Sequence, residues 1–171
     1  MERVILVDEN NNEIGIEEKM RAHAEGKLHR AFSIFVFDSD EKLLLQKRAQ
    51  TKYHSGGLWS NTACGHPRPG EAIAEAARRR LREEMNFDCE IQEVYSFIYR
   101  AQFENTLIEH EYDHVFKGQF DGEPVPNTQE VEECRWISLG ELRKDLQKNP
   151  DAYTAWLKIA MSQTNLPELI G

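Results

Sequence analysis

The chain has 171 residues, 40% of them hydrophobic and 30% charged, with 30 acidic against 21 basic side chains and a formal net charge of −9. This length suits one core-bearing domain, expected here over residues 1–171, and the acidic balance argues against a nucleic-acid partner, whose phosphates call for a basic footprint. No run approaches the roughly 18 apolar residues of a membrane span, and Met1-Glu2-Arg3-Val4 lacks the build of a signal peptide, so the expectation is a cytoplasmic protein with no membrane association.

Residues 3–7 read as a short strand, 8–12 as a turn and 13–16 as the returning strand of a hairpin. Residues 17–24 read as a short helix ended by Gly26. Strands follow at 30–38, rich in aromatic and branched side chains, and at 43–48, and 58–64 looks extended. A helix is expected at 71–85, then strands at 91–103, 107–120 and 134–137. The end reads as helical at 139–147 and from 152 to about 164. Strands dominate early and in the middle with helices inserted, which predicts an α+β fold: a mixed β-sheet core, flanking helices, an N-terminal hairpin and a C-terminal helix. Cys64, Cys89 and Cys134 are odd in number and form no Cys-x-x-Cys pair, so neither a disulfide framework nor a zinc ribbon is expected.

The helix at 71–85 carries charge where its apolar stripe should be. Ile73, Ala77, Leu81 and Met85 form that stripe at about 100° per residue, and Arg80 and Glu84 project inside or beside it. Either these two form an i,i+4 ion pair over the core edge, or the helix borders a site that uses cations. The preceding loop, Gly65-His66-Pro67-Arg68-Pro69-Gly70, is of a kind that approaches a ligand closely. Gly65, Glu71 and the run Arg79-Arg80-Leu81-Arg82-Glu83-Glu84-Met85-Asn86-Phe87 together resemble a Nudix box with two departures. Arg80 stands where that family has a Glu, and Asn86 where it has a closing Gly. The family's box gathers metal against a diphosphate, and a box so altered implies diphosphate binding without hydrolysis.

Further signals lie outside the box. Cys64 and His66 share a face of an extended segment, and Glu109, Glu111 and Asp113 share a face of another. The latter is either a solvated acidic edge or a place where a cation separates like charges. His23 and His29 flank a Gly-containing turn, and Trp156 falls on the last helix, where core packing is the ordinary role. Taken together, His23 to Ser33, Lys47-Arg48-Ala49, Trp59 to Pro67, the altered box, Glu109-His110-Glu111 and Ala155-Trp156 resemble the type I isopentenyl-diphosphate isomerases, a Nudix-fold family.

That resemblance implies a metal-dependent isomerase of isoprenoid biosynthesis, converting isopentenyl to dimethylallyl diphosphate by protonation and deprotonation through a tertiary carbocation. It implies Cys64 and Glu111 as the acid/base pair, with Trp156 stabilising the cation and Tyr99 in the same pocket. It assigns His23, His29, His66, Glu109 and Glu111 to a divalent metal, for which zinc, manganese and magnesium all suit the donors. Glu84 would hold a second ion, Mg²⁺, on the diphosphate, clamped by Lys19, Arg48, Lys52 and Arg80. His54, His110 and His114 receive no role, and His110 should point away from Glu109 and Glu111. The expected assembly is a monomer or weak homodimer acting on a small diphosphate. The competing expectations are a Nudix hydrolase of a diphosphate-containing metabolite and a non-catalytic metal-binding module.

Overall fold

A computed structural model describes residues 1–163 and 169. Strands β1 (Arg3–Val7) and β2 (Glu13–Glu18) pair antiparallel as the expected hairpin. The first helix starts later than its sequence suggests: Glu17 and Glu18 finish β2, and α1 is Lys19–Glu25. The Glu18 side chain is the reason, because it accepts from the backbone N–H groups of Met20 and Arg21 and so caps the helix from outside.

Strand β3 (His29–Phe37) is central. After it come β4 (Lys42–Arg48), β5 (Trp59–Ser60), β6 (Ala63–Gly65), helix α2 (Ile73–Met85), β7 (Ile91–Gln102), β8 (Ile108–Gln119) and β9 (Val131–Ser138). Helices α3 (Leu139–Lys148) and α4 (Ala155–Ser162) close the described chain. Ala152, expected to open the last helix, instead ends a separate 3-10 turn (Pro150–Ala152), α4 begins at Ala155, and the expected end at 164 lies outside the described residues. Strand β3 runs parallel to β8 along its whole length and antiparallel to β6, while β4 pairs with β5 and β9, and β7 with β8. The result is the mixed sheet of an α+β fold.

Both faces of β3 are covered, which is why it reads as a near-continuous apolar run. Phe32, Ile34 and Val36 pack with Ala77, Leu81 and Met85 of α2. Phe35 and Phe37 pack on the other face with Val115 of β8, Leu142 of α3 and Leu157 of α4. That second face turns polar along the same strands. Period-two alternation carries it from Phe35 to Ser33 and His29 on β3, from Val115 to Asp113, Glu111 and Glu109 on β8, and from Tyr95 to Tyr99 on β7. All of these polar residues are buried.

Candidate active site

Sheet register assembles the site. His29 lies opposite Glu111, and Ser33 lies between Cys64 on β6 and Val115 on β8. His23 comes from α1, and His66 leaves the end of β6. His66 Nε2 is 2.9 Å from Glu111 Oε1, His29 Nε2 is 3.5 Å from the same oxygen, and the two ring nitrogens are 3.2 Å apart. The Tyr99 hydroxyl reaches both Glu109 Oε2, at 2.9 Å, and Glu111 Oε2, at 2.7 Å. Beneath them the Ser33 hydroxyl donates to Asp113 Oδ2 at 2.7 Å.

Burial sets the proton affinities. Burial, reinforced by the charge on Glu84, pushes the Cys64 thiol up to about 12, so it rests protonated. Burial, joined by the charge on His29, lowers His23 to about 4. Burial also lowers His66 to about 4, against the pull of Glu111. In the pair of His29 and Glu111, burial opposes both charges, but their mutual attraction holds His29 above its ordinary value and Glu111 well below. Tyr99 is raised well above its ordinary value by burial and by the charges of Glu109 and Glu111. Burial and the Glu111 charge likewise raise Asp113.

The donors fit a divalent ion. His23 Nδ1 and His29 Nδ1 each lie 2.8 Å from a backbone carbonyl, of Lys19 and Lys27. Those contacts place the ring proton on Nδ1 and turn Nε2 inward as a lone-pair donor. His23 Nε2 is buried with no hydrogen-bond partner among the described residues. With His29, His66 and Glu111 it supplies four ligand atoms within 4.8 Å of one another. Three imidazoles and a carboxylate, with too few protons to satisfy each other, are a cation's donor set. Glu109 stands apart from these four and groups instead with His23 and His54. Glu84 joins neither group, and accepts from Arg80 at 2.5 Å and from Gln46 at 2.6 Å.

Cys64, Glu111, Tyr99, Trp156, Glu84 and the four expected cations all line one cavity of about 410 Å³. Lys19 pairs with Glu2 at 3.0 Å, Lys52 pairs with Glu130, and Arg80 contacts Glu83, Glu84 and Glu130. The expected ion pair of Arg80 with Glu84 is therefore made. A Cβ on Gly65 would sit 3.1 Å from Arg80 Cγ, so the glycine lets the stem of Arg80 lie against the loop. Asn86, in place of a closing glycine, adopts the left-handed conformation at φ 54°, which asparagine tolerates. The Trp156 indole donates to Ser60 Oγ at 2.8 Å and to Asn61 Oδ1 at 3.1 Å, and Arg48 lies 5.0 Å from the ring centre.

Two residues assigned no role from sequence also reach the site. His54, given no role, is buried with Nε2 3.1 Å from Glu109 Oε1, and only the folding of its loop against β8 reveals this. Glu130, which holds Lys52 and Arg80, sits just before β9, and its sequence carries no motif signal. His110 points away as expected, its Nδ1 3.0 Å from the Gly26 carbonyl.

A NUDIX domain model matches residues 27–157. Isopentenyl-diphosphate Delta-isomerase 1 of Aromatoleum aromaticum is 59% identical over 162 residues, covering 95% of this chain and 92% of its own length. Isopentenyl-diphosphate Delta-isomerase of Burkholderia multivorans is 57% identical over 168 residues, covering 98% of this chain and 96% of its own length. The crystal structure of DR0079 from Deinococcus radiodurans shares the fold with a TM-score of 0.77, at 22% identity, covering 92% of this chain and 96% of that one. The altered box, the half-buried Cys64 and these near-full-length likenesses agree, and the chain belongs to the Nudix-fold family of isopentenyl-diphosphate Delta-isomerases.

Proposed function

We propose that the chain interconverts isopentenyl and dimethylallyl diphosphate in isoprenoid biosynthesis, with Cys64 and Glu111 as its acid/base pair. The observation carrying this reading is a single cavity lined by a resting thiol, a resting carboxylate and a wall of cations. An unactivated alkene is a weak base, and protonating it requires a positioned acid away from water. A proton added to the terminal carbon leaves a tertiary cation, and loss of a different proton from C2 gives the more substituted alkene. Cys64 and Glu111 supply one proton and accept the other, exchanging roles when the reaction runs backwards. Tyr99, donating to Glu111 Oε2, orients that carboxylate. The Trp156 indole, fixed by Ser60 and Asn61, offers its face to the cation, a contact worth about 2 kcal/mol when desolvated. Lys19, Arg48, Lys52 and Arg80 bind the diphosphate.

His23, His29, His66, Glu109 and Glu111 would hold one divalent ion, Zn²⁺, Mn²⁺ or Mg²⁺, and Glu84 would hold Mg²⁺ on the diphosphate. When bound, these ions supply positive charge that tempers the carboxylates and the phosphate oxygens. We place the enzyme in the cytoplasm as a monomer or weak homodimer; no helix among the described residues is long and apolar enough to cross a membrane.

The test is NMR of isopentenyl diphosphate incubated in D₂O with the protein, Mg²⁺ and either Zn²⁺ or Mn²⁺. Deuterated dimethylallyl diphosphate is the expected product. Unchanged substrate at high enzyme concentration, or release of phosphate, overturns the reading. Cys64→Ala and Glu111→Gln should each abolish turnover while circular dichroism stays that of the parent; full turnover in Cys64→Ala removes Cys64 from the pair.

A further inference from the structure

The loop between β4 and β5 places an unassigned imidazole against the metal donors. The His54 side chain is 2% exposed, and its ring is fixed on two sides, stacked on Phe103 at 4.5 Å and edge-on to Trp156 at 5.7 Å. Its Nδ1 lies 3.2 Å from Ser55 Oγ. Its Nε2 lies 3.1 Å from Glu109 Oε1, yet among the described residues it has no partner in hydrogen-bonding geometry. His23 Nε2 is likewise buried and unpartnered. His23, His54 and Glu109 each offer one ligand atom, and these atoms lie within 4.8 Å of one another. A buried acceptor nitrogen with no donor is costly unless something electropositive meets it. Two such nitrogens converging beside a carboxylate oxygen describe a coordination site.

We propose that His54 is a further protein ligand of the metal centre. An imidazole nitrogen binds one ion, and His23 is common to both groups of donors, so this is one enlarged centre and not two separate ones. The donor set becomes His23, His29, His54 and His66 with Glu109 and Glu111, four nitrogens and two carboxylates. Imidazole-rich sets suit Zn²⁺ and its neighbours in the first transition row, whereas Mg²⁺ takes oxygen ligands and keeps its waters. This inference rests on the metal reading given above.

The test counts imidazoles. The protein labelled with ¹⁵N-histidine is titrated with Zn²⁺, and long-range ¹H–¹⁵N spectra follow each of its 6 histidine rings. Four rings with zinc-shifted Nε2 signals are expected, with His110 and His114 unmoved. The fourth shifted signal should vanish in His54→Phe, which keeps the ring stacked on Phe103, and in His54→Gln, should the first variant misfold. Competition with a chromophoric chelator should show Zn²⁺ held about 10-fold or more weakly by either variant. Three shifted rings, or unchanged zinc affinity in both variants, would overturn the role of His54 and leave the rest of the centre standing. No shifted ring would overturn the metal reading as well.

Discussion

Arg48 offers a test in which stability and binding should move in opposite senses. The residue is 6% exposed, its Nη2 donates to the His54 carbonyl at 3.3 Å, and its Nε has no partner among the described residues. Lys19, Lys52 and Arg80 each rest on a carboxylate, but among the described residues Arg48 has none within ion-pair distance. Burying an unpaired charge costs several kcal/mol. The indole of Trp156 returns about 2 kcal/mol and the one carbonyl bond about 1.5, so a net cost remains in the folded protein. Arg48→Met keeps most of the apolar stem and removes that cost. Each kcal/mol relieved should raise Tm by about 2–4 °C for a chain of this size. Losing one charge-assisted hydrogen bond to a phosphate oxygen, about 1.5–3 kcal/mol, weakens binding by about 10- to 150-fold. Differential scanning fluorimetry gives the first quantity and isothermal titration with inorganic diphosphate the second. A lower Tm with unchanged diphosphate affinity would refute the argument and make Arg48 a structural charge.

Tyr99→Phe removes the hydroxyl shared by Glu109 and Glu111, and one charge-assisted bond of about 1.5–3 kcal/mol should lower kcat by about 10- to 150-fold. Diphosphate affinity should hold in that variant, and a kcat within twofold of the parent would exclude Tyr99 from the chemistry. The metal-free protein should lose stability in mild acid. His23 and His66 are both lowered to about 4 by burial, so the unfolded chain binds more protons between that pH and about 6.5. Their contribution is complete above that window and falls through it by about 1.4 kcal/mol per pH unit for each ring. His29 is raised and acts with the opposite sign, but it is one ring against two. Tm should therefore be lower at pH 5 than at pH 7, and an equal or higher value at pH 5 would contradict these assignments.

Much of this molecule is local in origin and so could be read from its sequence. The alternation of β8 puts Glu109, Glu111 and Asp113 on one face whatever lies opposite, and the stripe of α2 survives the charges set into it. The Cys64-Gly65-His66 segment is short enough that its two reactive side chains keep their relation through any turn that follows. Glu18 escaped the same reasoning because it is a helix cap that uses an unusual residue type, displacing the start of α1. His54 and Glu130 escaped it for another reason. Each reaches the site because a loop crosses the end of the sheet, and no periodicity links residue 54 to 109 or residue 130 to 80. Arg80 shows both halves of the problem: its place in the stripe and its pairing with Glu84 one turn on were visible, while its contact with Glu130 came only with the fold.

The parallel pairing of β3 with β8 has a kinetic consequence. Ser33 and Asp113 touch across a sequence separation of 80 residues, and the same ladder brings His29 to Glu111. Closing so long a loop is paid for before its contacts form, and parallel strands this distant are slow to find each other. The hairpin β1–β2, helix α2 and the antiparallel β7–β8 pair are all local and can form without it. The catalytic pocket is thus a late product of folding, assembled when the central ladder zips. Recovered activity after denaturation should therefore trail recovered helix content, and it reports the completion of the sheet.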